Sequence, residues 1–217
     1  MIRRISNLLF PPKCVLCRHI LAKNETDLCH DCRLHAPQYT NSKNNISFLA
    51  GWTAVWYYKD DVRKSLLRYK FGNARSYAEA YGRLLAIKIQ EDLPDDIDIL
   101  AWVPVSRLRR FRRGYDQVEL IAKEVGVQLG YTPQVVLKKV RNTPAQSSLV
   151  TAAQRRANVM GVYSIPDTKL VHGKRILLLD DIITTGATIS ECAKTLQFAG
   201  AKAIYCAAVA AAAPKKN

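Results

Sequence analysis

Two adjacent carboxylates and a loop rich in hydroxyl groups follow one another in the second half of the chain. Residues 175–188 read Arg-Ile-Leu-Leu-Leu-Asp-Asp-Ile-Ile-Thr-Thr-Gly-Ala-Thr. The apolar run before Asp180 and Asp181 is typical of a strand that is buried on both faces and ends at the acids. From Thr188 onward, apolar residues recur at helical spacing. The segment therefore predicts a strand, a short loop and a helix in succession.

This order of elements suits a phosphorylated ligand. The first turn of a helix carries unpaired backbone N–H groups and a partial positive charge, which together hold a phosphate. Gly186 allows close approach of the backbone, and the threonines within residues 184–188 add hydroxyl donors. Asp180 and Asp181 repel a phosphate, but they can accept hydrogen bonds from sugar hydroxyls or help to hold Mg²⁺. The pattern favours a phosphorylated, polyhydroxylated ligand, and the alternative is a strand end whose acids only cap the next helix.

The same segment closely resembles the signature with which type I phosphoribosyltransferases bind phosphoribosyl pyrophosphate (PRPP). The shared pattern is four apolar residues, two acids, two apolar residues and then Thr-Thr-Gly-Ala-Thr. The resemblance implies that the acids hold the ribose 2′- and 3′-hydroxyls, with Mg²⁺ bound alongside, and that the loop wraps the 5′-phosphate. The implied PRPP-binding residues are Asp180, Asp181, Thr184, Thr185, Gly186, Ala187 and Thr188.

Four of the six cysteines form two CxxC pairs, Cys14 with Cys17 and Cys29 with Cys32. Each CxxC turn brings two sulfurs to one point, and four thiolates satisfy the tetrahedral preference of Zn²⁺. A small segment with little core of its own needs such a cross-link. Disulfides, which are disfavoured in a reducing cytosol, and redox chemistry at one CxxC pair are the alternatives. We therefore predict an N-terminal zinc module.

Basic residues are in large excess, 33 against 18 acidic ones, for a formal net charge of +15 at pH 7. This excess predicts affinity for polyanions, with a surface kept basic for solubility as the alternative. The arginines within residues 106–114 cannot neutralise one another, so an anionic partner is expected beside them. A solvated basic loop is the alternative there. We assign DNA contacts to Arg109, Arg110, Arg112 and Arg113.

Basic and aromatic residues also alternate between residues 57 and 75. Single-stranded nucleic acid binders use this combination for phosphate contacts and base stacking. At helical spacing, however, such aromatic side chains more often belong to the core, and this interpretation stays open beside the first.

Strands alternate with helices along the rest of the chain. The expected strands are residues 52–58, 98–103, 134–140, 162–165, 176–179 and 202–209. Capping-box patterns that begin at Ser76 and Asp116 predict the starts of two helices. The alternation predicts an α/β fold, a parallel sheet with helices on both faces and ligands at the carboxyl ends of the strands. The acidic pair and the arginine loop both follow strands, so we expect them at the same edge of the sheet.

With these motifs in place, the chain as a whole resembles the ComF family. That family joins an N-terminal four-cysteine zinc module to a phosphoribosyltransferase-like domain and is associated with DNA uptake in natural transformation. Matching positions include both CxxC pairs and residues 103–105 and 113–117, although related proteins more often carry Asn where this chain has Asp116. The resemblance implies a zinc module over residues 1–45 and a type I phosphoribosyltransferase-like domain over residues 46–217. It also implies a pyrophosphate loop at Val105, Ser106 and Arg107.

Three functions are compatible with these features. The first is a competence protein that binds single-stranded DNA and PRPP and works with the DNA-uptake machinery. The second is an active phosphoribosyltransferase that acts on a base or an amine, although no residue set for a particular acceptor is evident. The third is a regulator that senses PRPP without turning it over. We favour the first, because it explains the charge, the zinc module and the arginines together.

No stretch of the sequence approaches the ~20 apolar residues that a membrane-spanning helix requires. The apolar part of the basic first ten residues is shorter than the core of a signal peptide. The sequence therefore predicts a cytoplasmic protein that is not inserted in a membrane.

Overall fold

A parallel β-sheet with helices on both faces forms the centre of the computed structural model, which describes residues 11–40, 45–106, 110–111, 114–141 and 160–213. In chain order the elements are α1 (His30–His35), β1 (Gly51–Tyr57), α2 (Asp60–Phe71), α3 (Tyr77–Asp92), β2 (Ile99–Trp102), α4 (Gln117–Leu129), β3 (Lys138–Lys139), β4 (Tyr163–Ser164), a 3₁₀ turn (Thr168–Leu170), β5 (Arg175–Ile183), α5 (Ala187–Phe198) and β6 (Ala203–Ala211). The predicted α/β fold is confirmed.

The strands of the main sheet lie in the order β1-β6-β5-β2, and all neighbouring pairs are parallel. A single parallel bridge between Ala101 and Gln134 continues the sheet beyond β2. Because β5 has hydrogen-bonded neighbours on both sides, its carboxyl end lies in the middle of one sheet edge. Ligands of parallel sheets bind at this kind of edge.

Each face of the sheet packs against its own set of helices. On one face, Leu177 and Leu179 of β5 pack with side chains of α2, α3 and α4. On the other face, Ile176 and Leu178 pack with side chains of α5. These four β5 side chains are at most 1% exposed, which explains why the strand reads as a continuous apolar run.

β5 is longer than the sequence predicts. The strand was expected to end before Asp180, but it runs through both acids to Ile183. β6 is equally long and pairs with β5 as far as Ile183 and Ala211, so the backbone of the acidic segment keeps its hydrogen-bonded partner. The two carboxylates therefore project from the end of a strand and not from a loop.

The strand expected at residues 134–140 is largely wrong. Gln134 makes one bridge to the main sheet, and β3 pairs with β4 in a separate antiparallel ribbon. Val136 and Leu137 are buried between these two pairings, at 1% exposure each. Their burial explains the apolar pattern, because a side chain can be buried without its backbone joining a ladder.

The two capping-box predictions have different outcomes. α4 begins directly after Asp116, whose side chain accepts hydrogen bonds from the backbone N–H groups of Val118 and Glu119. α3 begins after Ser76, as predicted, but Ser76 has helical backbone angles and its side chain makes no capping hydrogen bond. A capping side chain needs an extended backbone at its own position, which Ser76 lacks.

The cysteine-rich segment is docked on α2 and α3. The Ser65 hydroxyl and the Arg68 guanidinium donate hydrogen bonds to the carbonyls of Val15 and Leu16. Arg83 of α3 donates two hydrogen bonds to the Asp27 carboxylate, of 2.6 and 3.0 Å. A two-pronged arginine–carboxylate pair fixes direction as well as distance. The cysteine-rich segment and the helices thus form one continuous core.

Within the described part of the chain, no helix combines the length and the apolar character needed to cross a membrane.

The close approach of α3 to α4 depends on the absence of a side chain at Gly82. A Cβ at this position would lie 2.4 Å from the Cβ and Cγ atoms of Glu124 and 3.2 Å from the backbone nitrogen of Val125. Gly82→Ala gains about 1 kcal/mol of helix propensity but must push the helices apart. We expect a net loss of about 1–2 kcal/mol in the free energy of unfolding, measured with urea. Ile87→Ala, at an exposed site of the same helix, should change it by less than about 0.5 kcal/mol. Equal stability of the Gly82 variant and the wild type would contradict this packing.

Candidate functional site

The two carboxylates of β5 lie in different surroundings. Adjacent residues of a strand point to opposite faces of its sheet. Asp181 contacts Lys70 of α2, whereas Asp180 shares a recess with the loop that precedes α5. Of the two acids, it is therefore Asp180 that the structure brings together with the predicted phosphate loop.

Asp181 is neutralised by Lys70, the penultimate residue of α2. The Lys70 Nζ lies 2.9 Å from each carboxylate oxygen of Asp181, whose residue is only 9% exposed. A buried carboxylate without a partner is costly, so this ion pair is what allows an acid at this position. Burial, together with the charge of Asp181, raises the pKa of Tyr69, and the protonated hydroxyl donates a 2.6 Å hydrogen bond to the Gln117 carbonyl.

Asp180 and residues 182–189 line a recess that is open to solvent. Gly186 has a φ of +73°, in the left-handed region that favours glycine. A Cβ on Gly186 would lie 3.2 Å from the Ile46 side chain, so this loop is also closely packed from behind. The Thr185 hydroxyl accepts a 3.4 Å hydrogen bond from the backbone N–H of Ala187, at the start of α5. All five loop residues of the predicted PRPP site, residues 184–188, border the recess.

The protonation of Asp180 depends on its surroundings. Burial, followed by the charge of Asp181, raises the pKa of Asp180 to about 8, and Lys70 offsets part of this rise. The side chain keeps some contact with solvent through the recess. A cation bound in the recess favours the ionised carboxylate and so lowers this pKa.

The predicted pyrophosphate loop follows β2, directly beside the acids. Val103 donates a 2.9 Å hydrogen bond to the Leu179 carbonyl, so the chain leaves β2 next to the end of β5. The Asp116 carboxylate, which caps α4, also accepts a 3.2 Å hydrogen bond from the backbone N–H of Val105. Ser106 is buried, at 4% exposure. Of the three residues predicted for this loop, Arg107 lies outside the described residues.

The expected edge of the sheet is therefore shared by the acidic motif and the loop after β2. Of the arginines predicted to contact DNA, the structure describes Arg110, whereas Arg109, Arg112 and Arg113 lie outside the described residues. The Arg110 guanidinium is 3.2 Å from the Glu119 carboxylate, and its side chain remains 61% exposed. The Arg110 guanidinium thus forms an ion pair with α4 and remains exposed to solvent.

The basic and aromatic stretch between residues 57 and 75 divides between core and surface. Tyr69 is fully buried and belongs to the core, as the alternative interpretation holds. Phe71 is 71% exposed at the end of α2. Tyr57 and Tyr58 are half-buried. Helical spacing alone did not separate these cases, because it does not tell which turn of a helix is covered.

The four cysteines of the CxxC pairs form one cluster, in which the sulfur atoms all lie within 4.8 Å of one another. The Sγ atoms of Cys17 and Cys29 are 3.6 Å apart, close to the edge of about 3.8 Å that follows from tetrahedral Zn–S bonds of ~2.3 Å. The backbone N–H of His19 lies 3.4 Å from the Cys17 sulfur and can stabilise a thiolate there. Four sulfur ligands fill the coordination sphere, so the residues fit a structural zinc ion and leave no open position for catalysis.

Zinc binding must also remove protons from the cluster. Burial, and then hydrogen bonds with the neighbouring thiols, raises the pKa of Cys32 above its ordinary value. A metal with a high affinity for thiolates is therefore needed to ionise this group, as structural zinc does in small domains. All six cysteines are free thiols in the structure.

Two known domain families match the chain. The phosphoribosyl transferase domain matches residues 111–217, which include β5, the recess and α5. The double zinc ribbon domain matches residues 5–43, which include all four clustered cysteines.

Curated relatives match most of the chain. Competence protein F of Haemophilus influenzae is 26% identical over 219 aligned positions, covering 88% of this chain and 93% of that protein. DNA utilization protein YhgH of Escherichia coli is 26% identical over 223 aligned positions, covering 91% and 96% respectively. Competence protein ComFC of Bacillus subtilis is 26% identical over 171 positions, covering 78% of this chain and 65% of that protein.

The fold, the recess and the cysteine cluster define an α/β protein of the phosphoribosyltransferase type that carries an N-terminal double zinc ribbon. Within this class the chain is similar to the ComF family, and the resemblance predicted from its motifs is confirmed by relatives named as competence and DNA utilization proteins.

Two features of the site were not evident from the sequence. Lys70 precedes its partner Asp181 by 111 positions and stands among other basic residues, so no local pattern distinguishes it. The bond from Val105 to Asp116 was missed as well, although the capping box had already placed Asp116 at the start of a helix. A carboxylate has two oxygens, and the second one was available to hold the loop after β2.

Asp180→Asn should remove part of the pH dependence of stability in the metal-free protein. The folded pKa of about 8 lies above the ordinary value of about 3.9, so the folded state binds the extra proton. This stabilisation is complete below about pH 4 and is lost as the pH rises through about 8. Between pH ~5 and ~8, we expect the unfolding free energy of the wild type to fall by about 2 kcal/mol more than that of the variant, allowing for solvent screening in the recess. Urea unfolding at several pH values measures this, with Asp61→Asn as an exposed-acid control, and parallel curves for wild type and Asp180→Asn would contradict it.

Cys17→Ser should release zinc and destabilise the ribbon. Cys17 is the exposed member of the cluster, so its replacement removes a ligand without opening a cavity in the core. We expect a fall from about one zinc ion per chain to a small fraction of that, together with a lower melting temperature. Elemental analysis after dialysis measures the metal. Cys192→Ala, a buried cysteine of α5 outside the cluster, should keep its zinc. Full zinc content in the Cys17 variant would show that the cluster is not the zinc site.

Proposed function

We propose that this protein binds PRPP with Mg²⁺ in the recess at the end of β5 and binds single-stranded DNA on its basic surface, as a component of DNA uptake in natural transformation. The observation that carries the ligand part is the recess itself, where one carboxylate and a glycine-containing loop meet at the start of a helix. We place the protein in the cytoplasm, where its cysteines stay reduced.

Each part of the recess suits one part of PRPP. The 5′-phosphate fits the loop of residues 184–188, because the first turn of α5 supplies backbone N–H groups and a partial positive charge. The ribose hydroxyls fit the carboxylates of β5, which accept hydrogen bonds from them. Val105 and Ser106, held beside the acids through Asp116, are suited to the pyrophosphate.

Mg²⁺ is compatible with the donor set of the site. Carboxylate oxygens are the protein ligands that Mg²⁺ prefers, and it keeps ligand oxygens and water in its remaining positions. Asp180, which opens into the recess, would hold the ion directly, and Asp181 supports it from the other face of the strand. When bound, Mg²⁺ neutralises charge on the pyrophosphate of the ligand.

The DNA part of the proposal is supported by charge and by relatives. The chain carries a net charge of +15, and release of counterions from a phosphate backbone favours binding to such a surface. Relatives that cover most of the chain are named Competence protein F and DNA utilization protein YhgH. Other proteins of the DNA-uptake machinery are the expected partners.

Two multiple variants should separate the two binding functions. Asp180→Asn with Asp181→Asn should abolish PRPP binding measured by calorimetry with Mg²⁺, and should leave DNA binding within about twofold of the wild type. Replacing Arg109, Arg110, Arg112 and Arg113 by Ala should weaken binding of a labelled single-stranded oligonucleotide by about tenfold or more and reduce the steepness of its salt dependence.

A matched control separates the arginine site from the general effect of charge. Alanine at four exposed lysines, Lys23, Lys138, Lys169 and Lys202, removes the same formal charge from other surfaces. This variant should bind DNA several times more tightly than the arginine variant. Loss of both ligands in each multiple variant would refute the two-site proposal. Release of pyrophosphate from PRPP in the presence of a free base would instead establish a phosphoribosyltransferase, and tight PRPP binding without any DNA affinity would favour a PRPP-sensing regulator.

A further inference from the structure

Two exposed aromatic rings and two arginines lie around the junction between α2 and α4. Phe71, at the end of α2, is 71% exposed, and Phe111 is 87% exposed. Arg75 lies four positions after Phe71, and Arg110 directly precedes Phe111. Rings that are mostly exposed and lie among cations suit a ligand that carries both flat bases and negative charge.

Side-chain contacts hold the end of α2 against the segment that precedes α4. The Tyr115 hydroxyl donates a 3.0 Å hydrogen bond to the Tyr69 carbonyl near the end of α2. The Arg75 guanidinium stacks on the Tyr115 ring, 4.4 Å from its centroid, and a Cβ on Gly114 would lie 3.0 Å from an Arg75 nitrogen. Phe111 precedes Gly114 by only three positions, which the chain spans in at most about 11 Å. The end of α2, which carries Phe71, therefore meets the segment before α4, which begins three positions after Phe111.

The cations of this surface are held in place but remain accessible. Arg110 is tied to Glu119 at 3.2 Å and keeps 61% of its side chain exposed. Arg75 is fixed by its stacking on Tyr115, and the other face of a stacked guanidinium plane can itself receive a base. Fixed cations lose little conformational freedom when they bind a phosphate.

We propose that Phe71 and Phe111, flanked by Arg75 and Arg110, form a stacking surface for the bases of single-stranded nucleic acid. This inference rests on the DNA binding proposed above and names the surface that carries it. Each ring stacks on a base and each arginine contacts the phosphates between them, which is how sequence-tolerant binders of single strands work. Lys70, the sequence neighbour of Phe71, bonds to Asp181, so this surface lies near the carboxyl end of β5.

Phe71→Ala with Phe111→Ala tests the stacking surface. Stacking of one base on one ring contributes about 1–3 kcal/mol, so each substitution should weaken binding of oligothymidylate at least about fivefold. The slope of affinity against salt should stay unchanged, because no charge is removed. The matched control is Phe198→Ala, a 79% exposed phenylalanine at the end of α5 beside Lys194, which should bind as the wild type does.

A second oligonucleotide with the same phosphates but abasic sugars distinguishes stacking from charge. The wild type should bind oligothymidylate more tightly than the abasic strand, whereas the double variant should bind both equally. Because all three phenylalanines are exposed, circular dichroism spectra of the variants should match the wild type. Replacement of both rings by Trp should restore the preference for the strand that carries bases.

The outcomes separate this inference from the proposed function. If the wild type binds DNA and the double Ala variant binds equally well, DNA binding stands and the stacking surface is refuted. If the wild type binds neither strand at low salt, the proposed DNA function fails and this inference fails with it. A double variant with weakened binding to both strands alike would also refute stacking, because its loss would not depend on bases.

Discussion

The ion pair between Lys70 and Asp181 is the interaction on which the candidate site depends. It places a positive charge beside two adjacent carboxylates at the end of a buried strand, where unpaired charge is costly. Without it, Asp181 would be buried with no counter-ion while the charge of Asp180 acts on it from the next residue, and the ionised forms of both acids would be disfavoured. The position of α2 therefore affects the charge of the two acids at the end of β5.

The zinc ribbon contributes to the same arrangement through α2. Ser65 and Arg68 of that helix bind carbonyls of the first cysteine turn, and Lys70 lies one half-turn further along. Small segments bury too little apolar surface to hold a fixed shape, and a four-thiolate metal site supplies the missing cross-link. The ribbon packs into the main core and contacts α2 there. It therefore helps to hold in place the helix that carries Lys70.

The proposed ligands occupy neighbouring parts of one surface. PRPP is assigned to the recess on the α5 side of β5, and nucleic acid to the rings and arginines at the end of α2 and before α4. Asp116 lies between them, since its carboxylate both caps α4 and holds Val105 beside the acids. An Asn there would keep the helix cap but would offer only one acceptor oxygen for these three backbone N–H groups. The Asp of this chain thus has a structural explanation.

Elements whose signals are local could be predicted from the order of the residues. The buried run before Asp180, the loop with Gly186, the CxxC pairs and the cap at Asp116 each depend on residues a few positions apart, and the structure places all of them as expected apart from the length of β5. The folded chain was needed to show that Asp180 and Asp181 face different surroundings and that Lys70 neutralises one of them. It was also needed to show that Tyr69 is buried while Phe71 is exposed. These outcomes depend on which surfaces the helices cover. The covered surfaces are set by packing between residues as far apart in the chain as Lys70 and Asp181, and no local spacing of residues predicts such a contact.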